Sequence, residues 1–178
     1  MTRLQPFKSS IMKITPATRR SDIPAGAPVL QDPVNVVLDV PVYYVNERGP
    51  IRMYSAQYCE RIFATSVLKT MNAILRDRNL GLAHLGIYNA RMARHADGRP
   101  ILPERWSNHS YGCAMDFKGV VLPGDEPVLL AISALKQDPA YKVLLTDAEA
   151  QCRASIVNTK RKPEIVDEGG WVHIGIWP

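Results

Sequence analysis

Two short stretches most constrain how this chain can fold: SNHSYGCAMD at residues 107–116 and WVHIGIW at residues 171–177. The first supplies His109 and Asp116, and the second supplies His173, all of which are residue types that bind metals. A catalytic zinc usually has three protein ligands and an open fourth position for water, whereas a structural zinc is closed by four ligands. Two imidazoles and one carboxylate fit the open type. The fold must then bring together two segments that are distant in the sequence.

Residues 111–120 have the alternation of a half-buried strand, in which successive side chains point to opposite faces. One face is apolar and is predicted to lie on the core: Cys113, Met115 and Phe117. Asp116 shares the other face with Ala114 and Lys118, so this face is predicted to line a cleft.

Residues 171–177 show the same alternation. Val172, Ile174 and Ile176 are predicted to face the core, while His173 shares the opposite face with the two tryptophans and Gly175. His173 is therefore expected to meet Asp116 across a shared cleft. His109 precedes the first strand, and Gly112 allows the chain to curl back toward the carboxylate.

A His followed seven positions later by an Asp arises by chance in many chains, but here it belongs to a longer pattern. The string SxHxxGxAxD is matched at Ser107, His109, Gly112, Ala114 and Asp116, and WxH follows downstream. This combination resembles the zinc D,D-peptidases of the D-alanyl-D-alanine carboxypeptidase and L-alanyl-D-glutamate endopeptidase group, which includes phage endolysins and extensin-like C-terminal domains. The resemblance runs from about Leu82 to Trp177. It implies the Hedgehog/DD-peptidase fold.

The chain departs from that family at the general base. Many members place an acidic residue about three positions before the last ligand, or a second His two positions before it; here those positions hold Gly170 and Trp171. The base must then come from the preceding loop. Glu168 is the expected base, with Asp167 and Glu164 as alternatives. Glu168 could also be a solvated residue of the DEGG turn.

The segment GIYNARMAR at residues 86–94 is similar to the part of the family that carries an arginine steadying the substrate carbonyl. Arg91 is the first candidate and Arg94 the second, unless Arg91 belongs to a basic surface loop. The predicted substrate-binding residues are Ser107, Tyr88 and Trp171. His84 could line the same cleft, although a half-buried histidine with its hydrogen bonds satisfied is favoured.

The resemblance implies zinc-dependent cleavage of an amide bond in peptidoglycan stem peptides or cross-links, by a phage-type lysin or an exported antibacterial effector. The alternative is a non-catalytic zinc module that binds the cell wall or serves a structural role. The sequence lacks an apolar secretory signal and any long apolar run, so synthesis in the cytosol, no membrane span and action on the wall after lysis or secretion are expected. Export machinery and an immunity or inhibitor protein are possible partners.

The distribution of charge and the cysteine content bear on two further classes of protein, those that bind nucleic acid and those built on disulfides. Residues 1–20 carry five basic residues and no acid, whereas the remainder has 17 of each sign. Because this basic segment lacks interleaved aromatic residues, nucleic acid is an unlikely partner. The three cysteines are too few for a disulfide scaffold. Buried free thiols are favoured, and a Cys59–Cys152 pair stays open for an exported protein.

The remaining pattern predicts an α+β domain with a small antiparallel sheet and flanking helices. Residues 1–34 are predicted to form a basic and then Pro-rich leader, partly extended or disordered, and residues 35–178 the zinc peptidase domain. The spacing of apolar residues predicts a strand over 35–45, placed at an edge by Pro41, and a helix over 55–79 that ends before Gly81. Two more helices are predicted over 127–136 and 140–158.

Overall fold

The computed structural model describes residues 12–95 and 97–177. Within them lie ten strands, four α-helices, a π-helical turn and a 3₁₀ turn. The strands are β1 Lys13–Pro16, β2 Pro33–Val37, β3 Val42–Asn46, β4 Gly49–Met53, β5 Gln57–Glu60, β6 Gly81–His84, β7 Ala114–Leu122, β8 Val128–Ala131, β9 Pro163–Asp167 and β10 Val172–Ile176. The helices are α1 Arg61–Phe63, α2 Lys69–Asp77, α3 Ile132–Gln137 and α4 Pro139–Asn158.

The larger sheet has the strand order β4-β3-β6-β7-β10-β9, and β8 also pairs with β7. All of these pairs are antiparallel except β3 with β6. A mixture of helices with a mainly antiparallel sheet confirms the α+β class. The long strand β7 is central, because it pairs with β6, β8 and β10.

A second sheet, of order β1-β2-β5, is antiparallel throughout. Its strand β2 is Pro33–Val37, so the domain boundary predicted after residue 34 falls inside a strand. Residues 13–34 belong to the fold, with Leu30 and Val34 in the core. Arg3 and Lys8 of the predicted basic leader lie outside the described residues.

The single strand predicted over 35–45 is wrong, because this segment forms two strands that belong to different sheets. The chain turns between them at Asp39 and Val40, whose backbone N–H groups donate to the buried Asn72 side chain. Pro41 lies in this turn and has no N–H to offer a ladder.

The first long helix begins at Arg61, not at residue 55, because residues 57–60 pair with β2 as strand β5. α1 continues through a π-helical turn, Ala64–Leu68, into α2. Past the end of α2, Asn79 adopts a left-handed conformation with φ +54°. Asn79 therefore reverses the chain, a role that the sequence assigned to Gly81.

The helix predicted over 127–136 is half strand: β8 pairs with β7, and only residues from 132 onward are helical. The helix predicted over 140–158 is confirmed as α4. Both helices pack on the larger sheet, where Leu135, Leu144 and Ile156 join the core. The part of the chain that the structure describes has no helix long and apolar enough to cross a membrane.

Candidate metal centre

Strands β7 and β10 lie side by side, and their register sets His173 directly opposite Asp116. The predicted core faces of both strands are confirmed, whereas Lys118, predicted on the cleft face, does not line the cleft. Met115, Phe117, Val172 and Ile174 are buried in the core, while Asp116 and His173 share the opposite face. The alternation of both strands therefore carries two candidate ligands into one cleft.

A 3₁₀ turn, Asn108–Tyr111, supplies the third candidate ligand, His109. Ser107 caps it, since its hydroxyl accepts the backbone N–H of His109 at 3.3 Å. Gly112 ends it with φ +63°, and a β-carbon there would lie 2.7 Å from the backbone nitrogen of Glu60. Glycine is thus required for both the left-handed angle and the close approach. The turn places the imidazole of His109 beside Asp116.

The three side chains form one cluster. Oδ1 of Asp116 lies 3.2 Å from Nε2 of His109 and 3.0 Å from Nδ1 of His173. One potential ligand atom from each residue lies within 4.8 Å of the others. The side chains are 2% exposed for His109 and 13% exposed for the other two. This group could hold a metal ion.

The hydrogen bonds behind the cluster suit metal binding. Nδ1 of His109 donates to the carbonyl of Ile87 at 2.9 Å, which leaves Nε2 free as a ligand. Nε2 of His173 lies 3.4 Å from Oε2 of Glu164, so Nδ1 is the nitrogen that faces Asp116. A carboxylate or carbonyl on the second nitrogen is how metal-binding imidazoles are usually oriented. Asn108 donates to the same oxygen of Glu164.

The charges in the cluster are strongly coupled. Burial opposes ionisation of Asp116, but its polar contacts with His109 and His173 outweigh burial and hold the pKa of the carboxyl well below its usual range. Burial also opposes protonation of His173, yet its hydrogen bonds to Asp116 and Glu164 raise its pKa to about 9. Asp116 thus stays ionised and carries a negative charge where a cation would bind. Metal ions compete with protons for such ligands.

The cluster lies at the wall of a cleft of about 570 Å³. Its charged lining comprises Arg91, Arg94, Arg105, Glu164, Asp167 and Glu168. Trp171 lines the cleft as well. Ligand-sized clefts with a few convergent polar groups are the usual form of active sites. Among the described residues, His109, Asp116 and His173 form the one cluster suited to a metal, and no fourth protein ligand joins them.

Arg91 lies beside the cluster, with a guanidinium nitrogen 3.7 Å from Oδ2 of Asp116. Its backbone is held by the buried hydroxyl of Ser110, which accepts from the N–H of Arg91 and donates to its carbonyl, both at 2.8 Å. The side chain is 46% exposed, so the cation is also open to the cleft. Arg94 lines the cleft further out and donates to the carbonyl of Gly98.

The three base candidates have different surroundings. Glu164 is half-buried against His173 and Arg105, and the hydrogen bond from His173 lowers its pKa. Asp167 is paired with Lys136 at 2.6 Å, which lowers the pKa of that carboxyl. The side chain of Glu168 makes no hydrogen bond or ion pair within the described residues and lines the cleft. Of the three carboxylates, that of Glu168 is therefore the one without a partner among the described residues.

Two of the predicted cleft residues lie elsewhere. Tyr88 does not line the cleft; its ring packs edge-on against Tyr58 at 5.1 Å, with the guanidinium of Arg20 5.8 Å from its centroid. His84 is 1% exposed, and neither ring nitrogen has a hydrogen-bond partner within the described residues. The prediction of a half-buried, satisfied histidine is therefore wrong. Burial lowers the pKa of His84 to about 4 and keeps it neutral.

The structure adds polar residues that the sequence did not single out: Asn108, Ser110 and Arg105. Asn108 and Ser110 flank His109 in the same polar run, and both are buried. Arg105 stacks over the ring of Trp177 at 4.3 Å while approaching Glu164 at 3.6 Å. The run of polar residues around a candidate ligand was the available signal, because such residues are rarely buried without a partner.

No protein-family model, no curated protein and no solved structure matches this chain.

Proposed function

We propose that the chain is a zinc-dependent hydrolase that cleaves an amide bond in peptidoglycan stem peptides or cross-links. The observation that carries this proposal is the approach of His109, Asp116 and His173 to one point at the wall of an open cleft. Three candidate ligands beside an open cleft match a catalytic zinc site, because such sites keep one position for water.

The donor set favours zinc among the common metals. Calcium and magnesium prefer oxygen ligands, whereas two imidazoles with one carboxylate are typical zinc ligands. His109 would bind through Nε2 and His173 through Nδ1, the nitrogens that face Asp116. When bound, zinc acts as a Lewis acid and lowers the pKa of water toward neutrality.

The side chains around the cluster have complementary roles in amide hydrolysis. Glu168 takes the proton from the attacking water and returns it to the leaving amine, because its carboxylate is free and faces the cleft. Arg91 stabilises the negative charge that develops on the carbonyl oxygen. Glu164 holds His173 in the orientation that presents Nδ1. Trp171 forms a wall against which a peptide can pack.

Peptidoglycan is the proposed substrate because SxHxxGxAxD followed by WxH resembles the zinc D,D-peptidases, and the same resemblance suggests the Hedgehog/DD-peptidase fold. This is an argument by analogy. The candidate bonds are the D-Ala-D-Ala terminus, the D,D cross-link and the L-Ala-D-Glu bond of the stem. A phage-type lysin or an exported antibacterial effector would use such an activity on the cell wall.

Digestion of purified peptidoglycan by the zinc-loaded protein tests the proposal, with fragments identified by mass spectrometry. We expect new amine termini at one type of bond, and their masses name that bond. His109→Ala should abolish the products. Asp125→Asn, on an exposed loop away from the cleft, is the matched control and should leave them unchanged.

Intact muropeptides in the presence of bound zinc would overturn the hydrolase proposal and favour the non-catalytic zinc module. Products that persist in His109→Ala would show that the cluster is not the catalytic site. Glu168→Ala should stop turnover while zinc is retained. If turnover survives this change, Glu168 is not the base.

A further inference from the structure

The loop that carries Glu168 and Trp171, residues 167–171, connects β9 to β10 at the edge of the cleft. Three short contacts hold it from within. The N–H of Glu168 donates to the carbonyl of Trp171, and that of Gly170 donates to the carbonyl of Glu168, both at 3.0 Å. The N–H of Gly169 donates to the carboxylate of Asp167 at 2.9 Å. Gly169 and Gly170 give the loop little intrinsic stiffness. Contacts from other elements therefore add to what holds its conformation.

Two lysines from other elements supply those contacts. Lys136 of α3 binds the carboxylate of Asp167 at the start of the loop. Lys118 of β7 donates from Nζ to the carbonyl of Gly170 near its end, at 2.8 Å. The Lys118 contact joins residues 52 apart in the sequence. The loop is thus tied at both ends to rigid secondary structure.

Of the two lysines, Lys118 connects the loop directly to the strand that carries Asp116. It lies two positions after Asp116 on β7, so the same strand face carries a metal-ligand candidate and the anchor of the loop. Nζ also lies 5.8 Å from the ring centroid of Trp171, within the range of a cation–π interaction. Lys118 itself is half-buried and does not line the cleft.

We infer that Lys118 is a positioning residue: it fixes the 167–171 loop relative to the metal ligands, so that Glu168 and Trp171 reach a bound peptide in the productive geometry. This inference rests on the proposed hydrolase function. Lys118 acts through the backbone carbonyl of Gly170 and the face of Trp171, and it does not touch the substrate. Small displacements of a catalytic group cost large factors in rate.

The test compares Lys118→Met with the wild type and with Lys142→Met, a change of an exposed lysine on α4. Lys118→Met should lower kcat on a soluble stem peptide on the order of 10- to 100-fold. KM should change much less, and zinc content should stay the same. Lys118→Arg keeps a cationic donor and should recover part of kcat, whereas Lys118→Gln is too short and should not. Lys142→Met should match the wild type.

Hydrogen exchange read by mass spectrometry supplies a measurement that does not need activity. Lys118→Met and Lys118→Gln should speed exchange in the peptide covering residues 167–171, while exchange in β7 and β10 stays slow. If the wild type proves inactive, the hydrolase proposal fails but this comparison still decides whether Lys118 holds the loop.

Unchanged exchange in the loop would overturn the inference, as would a full kcat in Lys118→Gln. Loss of zinc from Lys118→Met would also overturn it, since the effect would then lie on the metal ligands. Faster loop exchange with zinc retained and kcat restored in part by Lys118→Arg would support it.

Discussion

At the scale of single residues, the cluster depends on partners that the motif does not contain. Asp116 is approached by both imidazoles through one oxygen, and the orientation of each imidazole is set from behind, by Ile87 for His109 and by Glu164 for His173. The motif could predict the three candidate ligands because they are chemically distinctive residue types in fixed positions. Glu164 could be proposed only as one of three bases, since no local pattern shows that β9 sets it against His173.

Glu164→Gln tests this orienting role. The amide keeps the size of the side chain but loses the charge, so it holds Nε2 of His173 less firmly. Removal of such an outer partner typically costs about 10- to 100-fold in metal affinity. Competition with a fluorescent zinc chelator measures the change, and Glu149→Gln, half-buried on α4, is the matched control. Equal zinc affinity in Glu164→Gln and the wild type would contradict the role.

The burial of His84 leads to a prediction about how the stability of the fold depends on pH. Burial lowers its pKa to about 4 in the folded protein, below the value near 6.5 that is usual for histidine in an unfolded chain. The unfolded chain therefore binds a proton that the folded protein excludes, and stability falls as pH drops through this interval. The loss approaches about 3 kcal/mol at the acid end.

His84→Leu removes this group at similar volume, so the pH dependence between 6.5 and 4 should become shallower by that amount. Urea unfolding of the metal-free protein at several pH values measures it, and above pH 7 the variant should be no less stable than the wild type. Parallel slopes for both proteins would show that His84 does not titrate as a buried neutral group.

At the scale of elements, Gly119 sets how closely β7 and β8 approach. It has φ +148°, and a β-carbon there would lie 2.1 Å from the carbonyl oxygen of Leu130. Gly119→Ala should therefore destabilise the fold by about 3 kcal/mol, from backbone strain and overpacking together. Thermal unfolding measures the loss. Gly124→Ala is the control, because a β-carbon there meets nothing closer than 3.6 Å. Similar melting temperatures for both variants would contradict this packing.

The burial patterns of the strands explain why some could be predicted from the sequence and others could not. β7 and β10 alternate cleanly because one face is buried and the other lines the cleft, so their period of two is visible in the sequence. β8 is a short apolar run, which periodicity alone cannot distinguish from the first turn of a helix. β9, Pro163–Asp167, was missed because its residues are half-buried or exposed, with no alternation between a buried and an exposed face. The break between β2 and β3 depends on Asn72, a tertiary contact with no local signal.

At the scale of the whole molecule, the core is held without cross-links. Cys59, Cys113 and Cys152 are all buried and unpaired, which confirms the free thiols that the sequence favoured. Burial raises the pKa of Cys113 and Cys152 to about 12, and that of Cys59 is raised as well. Thiols of this kind are unreactive because the thiolate is the nucleophile.

A thiol reagent should therefore modify the native protein slowly and all three cysteines rapidly after unfolding in guanidinium. Reductant should leave the melting temperature unchanged, since no disulfide contributes to it. Counting modified thiols by mass spectrometry measures both states. Rapid modification of the native protein, or a lower melting temperature in reductant, would contradict the buried, unpaired arrangement.

The α+β class of the fold could be predicted from the sequence, but the presence of a second sheet that includes residues 13–16 could not. The α+β pattern and the strands that carry the cluster were readable because they obey local periodicity. The second sheet was not, since β1 lies in the basic part of the predicted leader and β2 begins at its Pro-rich end. β1 is ordered by pairing with β2, and β2 by pairing with β5 as well. Arg20 of the predicted leader likewise contacts the fold, with its guanidinium 5.9 Å from the centroid of the Tyr58 ring.

The zinc content of the purified protein tests the central claim most directly. After incubation with zinc and removal of the excess, elemental analysis should find one zinc per chain in the wild type and in His95→Ala, whose histidine is exposed and outside the cluster. His109→Ala, Asp116→Asn and His173→Ala should each lose most of it. A wild type without zinc, or zinc retained when any two of these ligands are removed together, would contradict a metal centre at this site.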